Sequence, residues 1–157
     1  MSKTRPHDAG VPVSANSGWL RQALVSDIPA LWRVRYAVRE NTLAPGRISD
    51  AEVRAEIEVT GRGWVVEDEA GVVQAFAIGN AQTGNIWALF VAPEAQGRGY
   101  GSRLHEAMIE WLWAQGLDIL WLTTGPGTRA LGFYERHGWR QVGRTDTGEL
   151  RLELQRP

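Results

Sequence analysis

Cysteine is absent from the 157 residues of the chain. Without a thiol the protein has no disulfide bond, no cysteine-based metal site, no Fe–S ligand and no thiol nucleophile. Because disulfides are rare in reducing compartments, their absence fits a cytoplasmic protein, and we expect that location. The three histidines, His7, His105 and His137, do not have the spacing of metal ligands, so no metal site is expected.

Long apolar runs and an excess of one charge are missing as well. No apolar run approaches the roughly 20 residues that span a bilayer, and the polar residues 1–17 contain no apolar segment of the signal-peptide kind. Seventeen basic residues nearly balance eighteen acidic ones, which gives a net charge of −1. The composition therefore predicts neither a membrane nor a nucleic-acid partner.

The length suits one domain. We expect residues 1–17 to form a flexible N-terminal tail and residues 18–157 to form a single domain. Tryptophan is plentiful, with eight residues against three phenylalanines and three tyrosines. Core packing is the expected role of most of these large aromatic side chains, and a binding surface lined with tryptophan is the alternative.

Hydrophobic periodicity predicts a mixed α/β chain in the order β-α-α-β-β-β-α-β-α-β-β. The first helix is indicated by four residues at helical spacing, Leu31, Val34, Arg35 and Val38. Ser49 followed by Glu52 is typical of a capping box at the start of the second helix. The segment Ile86–Val91 is nearly all apolar, as expected of a strand buried on both faces, and a long helix is predicted over residues 99–115.

The most informative segment is residues 91–102, Val-Ala-Pro-Glu-Ala-Gln-Gly-Arg-Gly-Tyr-Gly-Ser, between that strand and that helix. Its three alternating glycines leave the backbone bare and free to adopt positive φ. Successive N–H groups can then point at one anion, and the helix N-terminus adds about half a positive charge. The segment therefore predicts a phosphate or pyrophosphate site, with Arg98 as a nearby cation.

Two common nucleotide motifs do not fit this segment. A P-loop requires a Gly-Lys pair, which the chain does not contain. A dinucleotide fold requires G-x-G-x-x-G after its first strand, whereas these glycines alternate and follow the fourth predicted strand.

The pattern Gln96-x-x-Gly99-x-Gly101, after a strand ending in Leu-Phe-Val, resembles the coenzyme A loop of the GCN5-related N-acetyltransferases (GNAT). Residues 130–139, Ala-Leu-Gly-Phe-Tyr-Glu-Arg-His-Gly-Trp, are similar to that family's Ala-x-x-Phe-Tyr-Glu-x-x-Gly-Phe segment. The predicted element order also matches, so the resemblance covers most of the chain. It implies a GNAT-like acyl-CoA N-acyltransferase fold, an α+β mixed sheet.

The resemblance implies acetyl-CoA as co-substrate. In the family, loop amides hold the pyrophosphate, and the pantetheine arm pairs with the fourth strand where the fourth and fifth strands splay apart. Carried over to this sequence, the coenzyme-binding residues are Leu89, Val91, Gln96, Gly97, Arg98, Gly99, Tyr100, Gly101 and Ser102. A backbone amide at Leu89 or Val91 would also polarise the thioester carbonyl.

Tyr134 falls where the family places a tyrosine near the coenzyme sulfur. A phenol has a pKa of about 10 and an alkyl thiol one of about 8.5, so proton transfer to the departing thiolate is feasible and the implied role is general acid. The alternative is a core aromatic. Phe133 fits that alternative better, because the two neighbours point to different sides of a helix.

Two positions depart from the family's pattern. The histone-acetyltransferase branch has a glutamate base eleven residues before the loop glutamine, where this chain has Asn85. Many members have a coenzyme-contacting asparagine three residues before the alanine of the second motif, where this chain has Gly127. We assign that contact to Arg129 or to backbone groups.

The missing glutamate matters because direct attack requires a neutral amine. An amine with a pKa of about 10.4 costs about 4.6 kcal/mol to deprotonate at pH 7. Glu40 is the candidate base, since the end of the first helix lies beside the acceptor cleft in this family. The alternative is that Arg39 and Glu40 are solvated charges at a helix end.

Other polar and aromatic positions are expected to be structural. His105 and Glu106 should lie on the solvated face of the long helix. Trp64 and Trp87 could line the acceptor cleft, although core packing is expected of both.

These observations together predict an acetyl-CoA-dependent N-acetyltransferase that transfers the acetyl group to a primary amine by direct attack. The acceptor is expected to be a small amine or amino acid derivative, with a protein N-terminus or lysine as the second choice. A homodimer is expected from the habit of the family alone. The alternative function is a non-catalytic acyl-CoA-binding sensor or interaction module.

Overall fold

The structure is a computed structural model and describes residues 11–12 and 18–157. The expected N-terminal tail lies outside the described residues except at Val11–Pro12, which forms a short strand. The strands are β1 (Val11–Pro12), β2 (Trp19–Gln22), β3 (Gly61–Glu67), β4 (Val73–Asn80), β5 (Ile86–Val91), β6 (Ile119–Thr124), β7 (Arg140–Arg144) and β8 (Leu150–Gln155). The helices are α1 (Ile28–Ala37), α2 (Asp50–Ala55), α3 (Tyr100–Ala114) and α4 (Arg129–Arg136).

The predicted order of helices and strands is confirmed, with β1 added before it. The capping box is present as well: the Ser49 hydroxyl accepts from the Glu52 amide at 3.1 Å, and the Glu52 carboxylate accepts from the Ser49 amide at 3.0 Å. These paired bonds satisfy N–H groups that a helix start otherwise leaves free, which explains why α2 begins at Asp50. A π-helical turn, Glu56–Thr60, continues α2 to the start of β3.

The strands form two sheets that meet along β5 and β6. Strands β1 to β5 are antiparallel neighbours in chain order, and the second sheet has the order β6-β8-β7. At the start of β5 a parallel bridge joins Asn85 to Trp121, and the Trp121 amide donates to the Gly84 carbonyl at 3.0 Å. Within the part of the chain that the structure describes, β5 and β6 are paired at this bridge alone, so the rest of β5 has an open edge.

Both faces of the larger sheet are covered by helices, and each face has its own buried cluster. Helices α3 and α4 cover one face, where α3 buries Leu104, Met108 and Leu112. Helices α1 and α2 cover the other face, where the buried helix residues are Leu31, Val34, Val53 and Ile57. Successive side chains of β4 point to opposite faces of the sheet, so this strand contributes to both clusters. Its alanines point toward α3, and the bulkier Phe76 and Ile78 point toward α1. The two faces can therefore serve two different ligands.

A buried ion cluster fixes the start of α1 against the sheet. The Arg21 guanidinium lies 2.8 Å from an Asp27 oxygen and 2.7 Å from a Glu67 oxygen. Burial raises the pKa of Asp27, but bonds from Arg21 and the Leu24 amide outweigh it, so the net pKa lies below its usual value. The charge of Arg21 is thus fully compensated inside the protein.

Candidate active site

The open edge of β5 exposes backbone groups toward β6. The Ala92 amide donates to the Gln74 carbonyl of the neighbouring chain segment at 2.8 Å. In an antiparallel ladder such hydrogen-bonded pairs alternate with pairs that make no bond. Leu89 and Val91, opposite Ala77 and Ala75, occupy the intervening positions. Their N–H and C=O groups therefore point away from β4 and into the split between the sheets.

The glycine turn beyond β5 presents a second set of free amides. Gly97 and Gly99 both have φ of +83°, which glycine adopts at little cost. A Cβ at either residue would meet no protein atom within 4 Å, so the turn has open space above it. Among the described residues, no carbonyl or side chain accepts a hydrogen bond from the amides of residues 97–99, 101 and 102. The turn and the first turn of α3 thus form a bare cradle that fits an anionic diphosphate.

The side chains around the cradle have different roles. Tyr100 is the first residue of α3, and because its ring is buried only its backbone belongs to the cradle. The side chains of Arg98 and Ser102 are exposed beside the cradle. A Cβ on Gly101 would lie 3.6 Å from the Phe133 ring and 3.7 Å from Val91, in ordinary contact. The start of α3, α4 and the end of β5 therefore meet at one point.

Two predicted coenzyme residues are joined across the mouth of the split. The Arg129 guanidinium, at the start of α4, donates to the Gln96 side-chain oxygen at 2.6 Å. The Arg129 amide donates to a Glu40 carboxylate oxygen at 2.9 Å. The structure therefore places Glu40 against the N-terminus of α4, where a carboxylate is favoured by the helix dipole. The sequence did not indicate this contact between Glu40 and the start of α4.

The two departures from the family's pattern have local structural roles. The Asn85 side chain donates to the Trp121 carbonyl at 3.3 Å, at the closed end of the split. Gly127 has φ of +71° in the turn that leads into α4, and Thr128 caps that helix by accepting from the Leu131 amide. Asn85 thus links the two sheets, and Gly127 shapes a turn.

Tyr134 and Phe133 occupy the opposite environments to those expected. Tyr134 is 6% exposed and packs against Trp139 at 5.6 Å between ring centroids, whereas Phe133 is half-buried beside the cradle. The expectation that Phe133 is the core aromatic is wrong, because the chain after α4 turns back and places Trp139 over Tyr134. Burial raises the pKa of the Tyr134 phenol, so the group is protonated at neutral pH and has a proton to donate.

The expectation of a solvated His105 is also wrong. Its side chain is 6% exposed, and its Nε2 accepts a hydrogen bond from the Trp139 indole at 2.9 Å. Burial, together with the nearby His137, lowers the pKa of His105 to about 4. A neutral imidazole with this partner can be buried beside Leu104, whereas Glu106 lies on the surface as predicted and pairs with Arg103.

A pocket lies on the other face of the sheet, between α1, α2 and β5. Its empty volume, including the open mouth, is about 460 Å³. It is lined by Leu31, Trp32, Arg35, Leu43, Ile48, Val53, Phe76, Ile78, Trp87, Ala88 and Phe90. Trp87 therefore lines a cleft, and Trp64 belongs to the core on the α3 face, which is the packing expected of it. Glu40 is not among the lining residues.

Two residues that the sequence did not indicate are Arg35, which lines this pocket, and Asn41, which reaches the β6–α4 turn. Arg35 projects into the pocket from the apolar face of α1, and a cation within an otherwise apolar helical stripe was the available signal. Asn41 has a left-handed backbone, with φ of +55°, and its side-chain oxygen accepts from the Gly125 amide at 3.3 Å. Together with Glu40, Asn41 ties the chain after α1 to the β6–α4 turn, across the split.

The described residues contain no group of three or more side chains placed to hold a metal ion. Across the same ranges, no helix has the length and apolar character that crossing a bilayer requires.

The split mixed sheet and the anion cradle at the start of α3 define the acyl-CoA N-acyltransferase fold. A model of the acetyltransferase (GNAT) family matches residues 28–139, which is more than half of the chain. The chain therefore belongs to the GNAT acetyltransferase family.

Individual relatives are more distant. A mycothiol acetyltransferase of Beutenbergia cavernae is 37% identical over 84 residues, which are 50% of this chain and 28% of that protein. The match thus spans well under half of the relative's length.

Solved structures share the fold at low identity. The ribosomal-protein-S18-alanine N-acetyltransferase of Escherichia coli has a TM-score of 0.71 at 20% identity, over 87% of this chain and 92% of that chain. A phosphinothricin acetyltransferase of Sinorhizobium meliloti, in complex with AcCoA, has a TM-score of 0.72 at 20% identity, over 88% of each chain.

We expect the His105 imidazole to remain neutral down to about pH 4. Because its folded pKa lies below the unfolded value of 6.5, its contribution to stability is present above pH 6.5 and is lost as pH falls toward 4. NMR titration of the imidazole gives the pKa directly. In His105→Gln, which keeps an acceptor for Trp139, the free energy of unfolding should fall less steeply over that interval. A midpoint near 6.5 would contradict the buried neutral state.

Proposed function

We propose that the protein is an acetyl-CoA-dependent N-acetyltransferase that acetylates the primary amine of a small molecule, such as an amino acid derivative. The observation that carries the proposal is the cradle whose amides at residues 97–99, 101 and 102 are free, next to the open edge of β5. Family membership and the AcCoA-bound structural relative support it. A protein N-terminus or lysine is the second choice of acceptor.

The residues around the split suit the chemical form of the coenzyme. The cradle amides would bind the diphosphate, with Arg98 and the Gln96–Arg129 pair beside it. The backbone groups of Leu89 and Val91 would pair with the amide groups of the pantetheine arm as an added strand would. The bound coenzyme supplies an activated acetyl thioester, whose carbonyl oxygen an amide of this edge can polarise.

Tyr134 is the proposed donor to the coenzyme sulfur. An ordinary phenol is already a weaker acid than a thiol by about 1.5 pKa units, and burial increases its pKa further. Complete proton transfer to the thiolate is therefore uphill. The phenol would act chiefly by donating a hydrogen bond to the sulfur as negative charge develops there, and the proton would move late.

Glu40 is the proposed base. Its carboxylate is exposed beside the mouth of the split and is held by the Arg129 amide. Because Glu40 does not line the pocket, it would take the proton of the amine through an intervening water.

Gly99→Ala should weaken acetyl-CoA binding at least tenfold, whereas Gly116→Ala should not. Both residues have positive φ and open space around a Cβ, so both variants should lose about 1 kcal/mol of stability. Only Gly99 belongs to the cradle. Calorimetric titration with acetyl-CoA and thermal unfolding measure the two effects. Wild-type protein should gain about 2.7 kcal/mol at a hundredfold excess over Kd, and the absence of any stabilisation would refute the proposed function.

Tyr134→Phe should lower kcat by about 10- to 100-fold, the value of a hydrogen bond to a developing charge, with little change in acetyl-CoA affinity. The ring packing against Trp139 is retained, so stability should be nearly unchanged. Release of free coenzyme A thiol is the assay, and Tyr36→Phe, which alters an exposed tyrosine, is the control. Equal rates for Tyr134→Phe and wild type would remove Tyr134 from the chemistry.

The Glu40→Gln variant tests the proposed role of Glu40 as a base separately from its contact with the N-terminus of α4. The amide oxygen of glutamine can still accept from Arg129, but it cannot take a proton. If Glu40 is the base, kcat should fall at least 100-fold while the stability of the fold is kept. An unchanged kcat with unchanged stability would leave Glu40 with the structural contact alone.

A further inference from the structure

Arg35 forms no ion pair with any of the described residues. Arg21 is paired with two carboxylates, and Arg33 donates to the Val73 carbonyl. The Nη1 atom of Arg35 is buried and has no hydrogen-bond partner among the described residues. Burying an uncompensated cation is costly, so a position of this kind is expected to have an anionic partner.

The guanidinium is held in place by packing. Its central carbon lies 4.2 Å from the centroid of the Phe90 ring, in a cation–π contact. Burial lowers the pKa of Arg35 and the neighbouring Tyr36 opposes the shift, yet an arginine stays charged at neutral pH. The contact with the Phe90 ring uses none of the N–H groups, and a guanidinium can donate two parallel hydrogen bonds, which is the geometry that a carboxylate matches.

The rest of the pocket is apolar. Arg35 is the single charged side chain among the described residues that line it, and the walls carry four aromatic residues, Trp32, Phe76, Trp87 and Phe90. A ligand that satisfies all these surfaces has one anionic group and an apolar or aromatic body.

The pocket adjoins the reaction centre through β5. Phe90 faces the pocket, whereas the backbone groups of Leu89 and Val91 on either side face the split. Successive strand residues are about 3.3 Å apart. An anion held at Arg35 would therefore lie beside the strand that carries the expected thioester site, and an amine attached one carbon from that anion is the acceptor group that this arrangement suits.

We propose that Arg35 binds the carboxylate of the acceptor, and that the acceptor is a free α-amino acid with an apolar or aromatic side chain. The inference rests on the proposed acetyltransferase function and names the substrate class of that site. It also separates a free amino acid from a polypeptide N-terminus, whose first residue has an amide in place of the carboxylate.

The test compares acids with their amides in two variants. L-phenylalanine and L-leucine are assayed beside L-phenylalaninamide and L-leucinamide, with wild type, Arg35→Gln and Arg33→Gln. Arg35→Gln should lower kcat/KM for the acids about 10- to 100-fold and for the amides less than threefold. The comparison between variants cancels the different amine pKa values of acid and amide. Arg33→Gln, on the exposed side of the same helix, should change neither.

Two further readouts keep failure of folding apart from failure of the inference. Arg35→Lys should recover part of the acid activity, and stabilisation by acetyl-CoA should be the same in all variants. Two results would overturn the inference while acetyl transfer itself still stands. One is an equal loss of kcat/KM for acids and amides in Arg35→Gln. The other is a higher kcat/KM for the amides than for the acids that is the same in wild type and Arg35→Gln.

Binding without turnover gives an independent result. Trp32 and Trp87 line the pocket, so L-phenylalanine should change the intrinsic fluorescence of the wild-type protein and L-phenylalaninamide should do so less. Arg35→Gln should abolish the response to the acid. If acetyl-CoA binds but no amine is acetylated, this fluorescence titration still tests the role of Arg35. Absence of L-phenylalanine binding to the wild-type protein would overturn that role.

Discussion

The unpaired edge of β5 is the constraint around which the rest of the molecule is arranged. Backbone N–H and C=O groups require hydrogen-bond partners, and an antiparallel neighbour supplies them to only every second residue on one side. At Leu89 and Val91 the other side faces the split, because β6 pairs with β8 and, among the described residues, pairs with the β5 segment at the Asn85–Trp121 bridge alone. A ligand with a chain of amide groups can satisfy this edge in the way a strand would.

Hydrogen bonds link the chain segments at the two ends of the split. Asn85 joins the sheets at the start of β5. Beyond the other end, Glu40 and Asn41 bind backbone amides at Arg129 and Gly125, and Arg129 reaches Gln96. These bonds link the chain after α1, the glycine turn and α4. The elements that would hold the coenzyme and those that would hold the acceptor are therefore mechanically connected.

The two faces of the sheet differ in the chemistry that they offer. Below α3, buried aromatic rings and a neutral His105 support the helix whose N-terminus forms the anion cradle. Beside α1, an apolar pocket contains one uncompensated guanidinium. Arg21, only a short distance away in sequence, has its charge fully paired. The difference between these two arginines is what distinguishes a structural cation from one available to a ligand.

Local patterns in the sequence determined the order of elements, the Ser49 capping box and the glycine turn, because each depends on residues within a few positions of one another. The split sheet and the family also followed from the two motifs and their places in that order. Tertiary packing alone decided which aromatic of α4 is buried and that His105 is inside, since both depend on Trp139. It likewise decided that Arg35 faces a pocket, because the ring on which its guanidinium stacks belongs to β5, and no helical pattern within α1 contains that information.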